Sequence, residues 1–151
     1  MKITLEINSE EKSLDIKPGE ILADSLRAAG YTEVKKGCDT GSCGVCSVLL
    51  DESPILSCSF LAAMADGRKV TTIKGLREEV EEFSEYLVNE GADQCGFCAP
   101  GFALTVLAMK KELNAPSEEE IKHYLAGNLC RCSGYEGQLR AIKKYLEAGY
   151  A

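Results

Sequence analysis

The eight cysteines of this chain fall into two sets of four, Cys38, Cys43, Cys46 and Cys58, then Cys95, Cys98, Cys130 and Cys132, with a cysteine-free stretch between the sets. A lone buried thiol serves as a small apolar residue, but that role does not explain clustering. Four disulfides would satisfy the even count, yet the cysteine fraction lies below the roughly 8 to 10% of disulfide scaffolds. The N-terminal MKITLEINSE alternates apolar and charged residues instead of building the apolar core of a secretory signal. The chain is therefore expected in the cytoplasm, where thiols stay reduced. Four thiolates satisfy one metal centre, so the pattern predicts two such centres.

Charge and hydropathy narrow the partners. With 17 basic and 24 acidic residues the net charge is -7, which offers a phosphate backbone no electrostatic footprint. The longest apolar runs, such as Gly101 to Met109, fall far short of the roughly 18 residues that cross a bilayer. Neither nucleic acid nor a membrane span is expected.

The first set reads C-x4-C-x2-C, followed after eleven residues by Cys58, the spacing of plant-type 2Fe-2S ferredoxins. Its loop, GCDTGSCGVC, interleaves Gly37, Gly41 and Gly44 with the thiols. Glycine reaches backbone conformations closed to other residues and lets main-chain N–H groups approach an anionic iron–sulfide core. A zinc ribbon prefers two C-x2-C knuckles separated by about 15 to 20 residues, which the x4 gap fits poorly. The second set is bipartite, C-x2-C at Cys95 and C-x-C at Cys130, with 31 residues between the pairs. Its spacing suits two irons held by two pairs, and it also suits one zinc ion with four thiolates.

Periodicity predicts an α+β chain of two domains. Ile3, Leu5 and Ile7 alternate with polar residues, and Leu14 and Ile16 do so across a polar turn at Asn8–Lys12, which predicts a hairpin. Leu22, Leu26 and Ala29 share a helical face, with Gly30 as the stop. Short strands follow at 48–50, 55–56 and 70–73, separated by Ser53-Pro54 and Asp66-Gly67. Residues 1–75 therefore read as a β-grasp unit, a mixed sheet with one helix across it. From Arg77 onward helices take over: one carrying Val80, Phe83 and Leu87, one starting near Pro100, one opened by a Ser117/Glu120 capping box, and one carrying Leu139, Ile142 and Leu146. Residues 76–151 read as a four-helix unit of two helix pairs. Each cysteine pair of the second set precedes one of these helices, where unpaired N–H groups and the macrodipole favour negative charge.

With both sets placed, GCDTGSCGVC with Cys58, QCGFCAPG from Gln94 and GNLCRCSGY from Gly127 together resemble the small iron–sulfur subunit of the molybdenum hydroxylases, the xanthine dehydrogenase and aldehyde oxidoreductase family. The resemblance covers essentially the whole chain. It implies a plant-ferredoxin-like N-terminal domain, a helical C-terminal domain and two 2Fe-2S clusters. It further implies a molybdopterin centre in a large partner subunit and FAD in a medium one, with electrons relayed between them. In that family the glutamine before the first QCGxC ligand contacts the pterin, and Gln94 matches it. Ser133 stands where the family often has threonine, which removes no ligand. Catalysis lies in the large subunit, so no catalytic residue is expected here, and the substrate is not written in this chain. A free-standing two-cluster ferredoxin and a zinc-stabilised interaction module are the competing readings.

Four further features carry expectations. His123, the only histidine, reads as a solvated helix residue, and the acidic stretch from Glu78 to Glu85 as a solvated helix start. Phe97 and Phe102 read equally as core or as a shield over the second cluster. Arg131, between two cysteines, reads as a tuning charge.

Overall fold

The computed structural model describes residues 1–149. Strands β1 (Lys2–Ile7) and β2 (Glu10–Asp15) form the expected antiparallel hairpin. Its turn is tighter than predicted: Asn8 and Ser9, at φ 52° and 68°, make it alone, the doubly left-handed geometry that matches strand twist. Glu10 to Lys12 pair within β2. They read as a turn because β2 is an edge strand whose outward positions are polar.

Helix α1 (Leu22–Ala28) buries Leu22, Ala23, Ser25 and Leu26, and Gly30 at φ 97° follows its end. Ala29, expected on the apolar face, is instead the exposed C-cap. Strands β3 (Ser47–Leu50), β4 (Ser53–Leu56) and β5 (Lys69–Thr71) complete a sheet of order β2-β1-β5-β3-β4, with β1 and β5 parallel. Ser53 and Pro54 do not separate β3 from β4 as predicted. They lie within β4, and Asp51 and Glu52, at φ 48° and 71°, make the turn. Proline is tolerated there because β4 is the other edge. Ile73, expected at the end of the last strand, instead opens a 3-10 turn, Ile73–Leu76.

All four residues of β3 are buried. Val48 and Leu50 join Ile3, Leu5, Ile7, Leu22 and Leu26 in the first core, whereas Leu49 packs with Leu104 and Ala108 on the opposite face. A strand covered on both faces loses its polar alternation.

The helical half comprises α2 (Arg77–Asn89), α3 (Ala99–Glu112), α4 (Glu118–Tyr124) and α5 (Glu136–Gly149). Phe83, Phe102, Val106, Met109, Ile121, Ile142 and Tyr145 form its core. The Phe83 and Tyr145 rings lie 5.1 Å apart and those of Tyr86 and Tyr145 5.5 Å apart, pinning α2 to α5. Because α2 packs on both α3 and α5, the helices do not separate into the two pairs predicted. Helix α3 buries every residue from Gly101 to Met109, since it meets helices on one side and β3 on the other. Ser117 and Glu120 form the predicted capping box. Among the described residues no helix is long and apolar enough to cross a membrane.

Candidate metal centres

The first set lies on the loop between α1 and β3 and on a 3-10 turn, Ser57–Ser59. Gly41 and Gly44, at φ 67° and 75°, bend the loop. The Cys38 sulfur accepts backbone N–H groups of Ser42 and Thr40, then the thiol and amide of Cys43. These donors pull its pKa down to about 5. Burial acts the other way on Cys46, pushing its thiol up to about 11, and raises Cys43 as well. The buried Ser57 hydroxyl donates to the Cys46 carbonyl at 2.6 Å and so ties the turn carrying Cys58 to the loop.

The second set occupies two loops. Cys95 and Cys98 precede α3, with Cys98 as its N-cap, and Cys130 and Cys132 lie before α5. Burial pushes Cys98 up to about 11. Burial also opposes ionisation of Cys130, but the Ser133 hydroxyl at 3.2 Å and N–H at 3.4 Å both donate to its sulfur, and the net shift is downward. The Cys130 N–H donates to the Tyr135 hydroxyl at 3.0 Å. Gln94 is exposed, and its Nε2 donates to the Cys132 carbonyl at 3.3 Å.

The donor set fits two thiolate-held clusters. The thiols meet two by two: Cys38 with Cys43, Cys46 with Cys58, Cys98 with Cys130, and Cys95 with Cys132. Two pairs per set is what a two-iron cluster asks for, with two thiolates on each iron. The N–H and O–H groups aimed at Cys38 and Cys130 are the donors an anionic sulfur recruits.

The two sets are joined. The Leu129 N–H donates to the Cys43 carbonyl at 2.9 Å, and Leu129 is bonded directly to Cys130. Lys35 reaches from the first half to the carbonyls of Gly96 and Phe97 at 3.2 and 3.3 Å, with its ammonium 5.0 Å from the centre of the Phe97 ring. A Cβ placed on Gly101 would lie 2.2 Å from the Gly44 carbonyl oxygen, and one on Gly44 would lie 2.3 Å from that of Gly127. The halves therefore touch backbone to backbone. Cys43 of the first set also lines the cleft of about 480 Å³ around Cys95, Cys98, Cys130 and Cys132.

The other singled-out residues divide. Phe102 is core, whereas Phe97 is 46% exposed beside Gly37 and beneath Lys35. Arg131 is exposed at the cleft, and His123 is exposed on α4 as expected. Sequence reasoning did not single out Lys35 or the close approach of Gly101 to Gly44, although Gly101 closes the QCGFCAPG motif.

Comparison with known proteins agrees with this geometry. A 2Fe-2S iron-sulfur cluster binding domain family matches residues 5–71, and a [2Fe-2S] binding domain family matches residues 72–143. The chain is 41% identical over 143 residues to the xanthine dehydrogenase iron-sulfur-binding subunit of Escherichia coli O157:H7, covering 89% of this chain and 88% of that protein. It is 39% identical over 136 residues to the nicotinate dehydrogenase small FeS subunit of Eubacterium barkeri, covering 88% and 87%. A chain of quinoline 2-oxidoreductase from Pseudomonas putida 86 superposes with a TM-score of 0.91 at 37% identity, covering 99% of this chain and 96% of that one. With two cluster-binding halves in this order and likeness along nearly its whole length, the chain belongs to the family of small 2Fe-2S iron–sulfur subunits of the molybdenum hydroxylases, the xanthine dehydrogenase type of oxidoreductase.

Proposed function

We propose that this chain is the electron relay of a cytoplasmic hetero-oligomeric molybdenum hydroxylase, passing electrons from a molybdopterin centre in a large subunit to FAD in a medium one. On this reading residues 1–75 hold one cluster through Cys38, Cys43, Cys46 and Cys58, and residues 76–151 hold the other through Cys95, Cys98, Cys130 and Cys132. Each cluster, when bound, supplies one-electron redox chemistry. The residues of this chain position the sulfurs, furnish N–H donors that favour negative charge, and set the gap between the sites. The observation that carries the proposal is the 2.9 Å bond from the Leu129 N–H to the Cys43 carbonyl. It joins the backbone of one ligand set to that of the other and gives the relay a short, fixed bridge.

Two all-cysteine two-iron clusters require about four iron and four acid-labile sulfide per chain, which elemental analysis of the purified protein will measure. Stoichiometric zinc in their place would overturn the reading, as would recovery from native extract as a lone chain without partners.

Gln94 is assigned to the pterin side. Its amide already leans over the second set through the Cys132 carbonyl, at the exposed rim where a partner would meet it. Gln94→Ala should slow reduction of the second cluster by the partner at least severalfold while iron content stays constant. Unchanged pre-steady-state reduction kinetics would show the residue idle.

A further inference from the structure

Gln138 lies in the first turn of α5, only 4% exposed, and its Oε1 is buried with no hydrogen-bond partner. It lines the narrow space bordered by Gln94, Cys95, Cys98, Cys130 and Cys132. The other walls of that space include the apolar side chains of Leu87, Ala92 and Phe102 and the exposed Asp93, whose carboxylate has no hydrogen to give the orphaned oxygen. Gln138 also borders a cavity of about 200 Å³ beside Ile121 and Ile142, and the polar residues lining it, Lys122, Asn128 and Tyr135, make no hydrogen bond to its Oε1. A buried amide stripped of water and left unpaired is destabilising, and a leucine would fill the same volume without that cost. The position therefore makes physical sense if something polar occupies the space between the four thiols.

The chemistry of that occupant follows from the walls. Thiolate and sulfide sulfurs accept hydrogen bonds and donate none, so the amide must present its N–H₂ end. A half-turn about the terminal torsion exchanges Oε1 and Nε2 within the same planar outline, bringing a donor to the orphaned position. We propose that Gln138 donates an Nε2–H···S hydrogen bond to the second cluster and is a positioning residue that raises its reduction potential. This rests on the reading that Cys95, Cys98, Cys130 and Cys132 hold a 2Fe-2S cluster. A donor at sulfur stabilises the extra negative charge of the reduced form, which moves the potential upward. Gln138 would then complement the two donors that Ser133 already directs at Cys130.

The test is an EPR-monitored redox titration of the full chain in its complex, comparing wild type with Gln138→Leu and Gln138→Met. Gln138→Leu should weaken reduction of the second cluster about tenfold, or about 59 mV for a one-electron couple, while the first cluster holds its potential and iron content stays at the wild-type level. Gln138→Met, which keeps the length but carries no donor, should lower it to the same extent. Exchangeable-proton coupling to the reduced second cluster, read by ENDOR in D₂O, should diminish in Gln138→Leu. An unmoved second potential with intact coupling would overturn the inference and leave the cluster reading standing, and an equal fall at both clusters would overturn it as general loosening. A wild-type chain lacking the second cluster would overturn the cluster reading and this inference together.

Discussion

Gly101→Ala should destabilise the chain by about 3 kcal/mol, the upper end of overpacking costs, and part the two cysteine loops. Gly101 sits in the first turn of α3, and its added Cβ would lie 2.2 Å from the Gly44 carbonyl oxygen and 3.0 Å from the Val45 Cα. Both neighbours are main chain, so no flexible side-chain end can yield. Either α3 tilts away from β3, opening the contact of Leu104 and Ala108 with Leu49, or the first loop shifts and loses the bond from Leu129 to Cys43. Urea denaturation of the full chain gives the stability, and hydrogen exchange at the Leu129 amide reports the loop contact. Gly91→Ala is the matched control, since Gly91 has φ 62° but nothing within 4 Å of its built Cβ, leaving only backbone strain of about 1 kcal/mol. A Gly101→Ala chain as stable as wild type, with Leu129 still protected, would refute the tight seam.

Cys43→Ser should abolish one of two EPR signals and about half of the iron, while the helical half and the second signal survive. The reason is not that the halves are independent, because α3 packs directly onto β3. It is that Cys43 contributes to the seam through its backbone carbonyl, which serine retains, whereas the role proposed for it in the first centre belongs to its sulfur, which serine lacks. Far-ultraviolet circular dichroism should change little, since the helices draw their core from Phe83, Phe102, Ile142 and Tyr145. Concerted loss of both signals would contradict this division of labour.

Much of this was legible in the residues because the informative features are local. Cysteine spacing, the glycine-rich loop, the Ser117 capping box and the periodicity of α2 and α5 each depend on a few neighbouring positions. The misread positions answer to tertiary context instead. Pro54 looked like a strand breaker, but it sits where an edge strand needs no N–H on its outer side. Glu10 to Lys12 looked like a turn because an edge strand can be polar. Gly101 and Gly44 could be counted but not paired, since only the fold shows that one approaches the carbonyl of the other. Gln138 was silent for the same reason: nothing within α5 says that its third residue borders four thiols from two other loops.

The meeting of Gly44, Gly101 and Gly127 also bears on manufacturing tolerance. Most domain interfaces are lined by side chains, which hop between rotamers and repack when a neighbour changes, so the gap they enclose drifts with sequence and temperature. Here the contact is peptide against peptide, and its dimensions follow from covalent geometry and atomic radii. Tunnelling rates fall steeply with distance, so two redox sites mounted on such a stop keep their interval even as the surrounding cores diverge. The glycines act as a gauge block, fixing a length by having nothing that can bend.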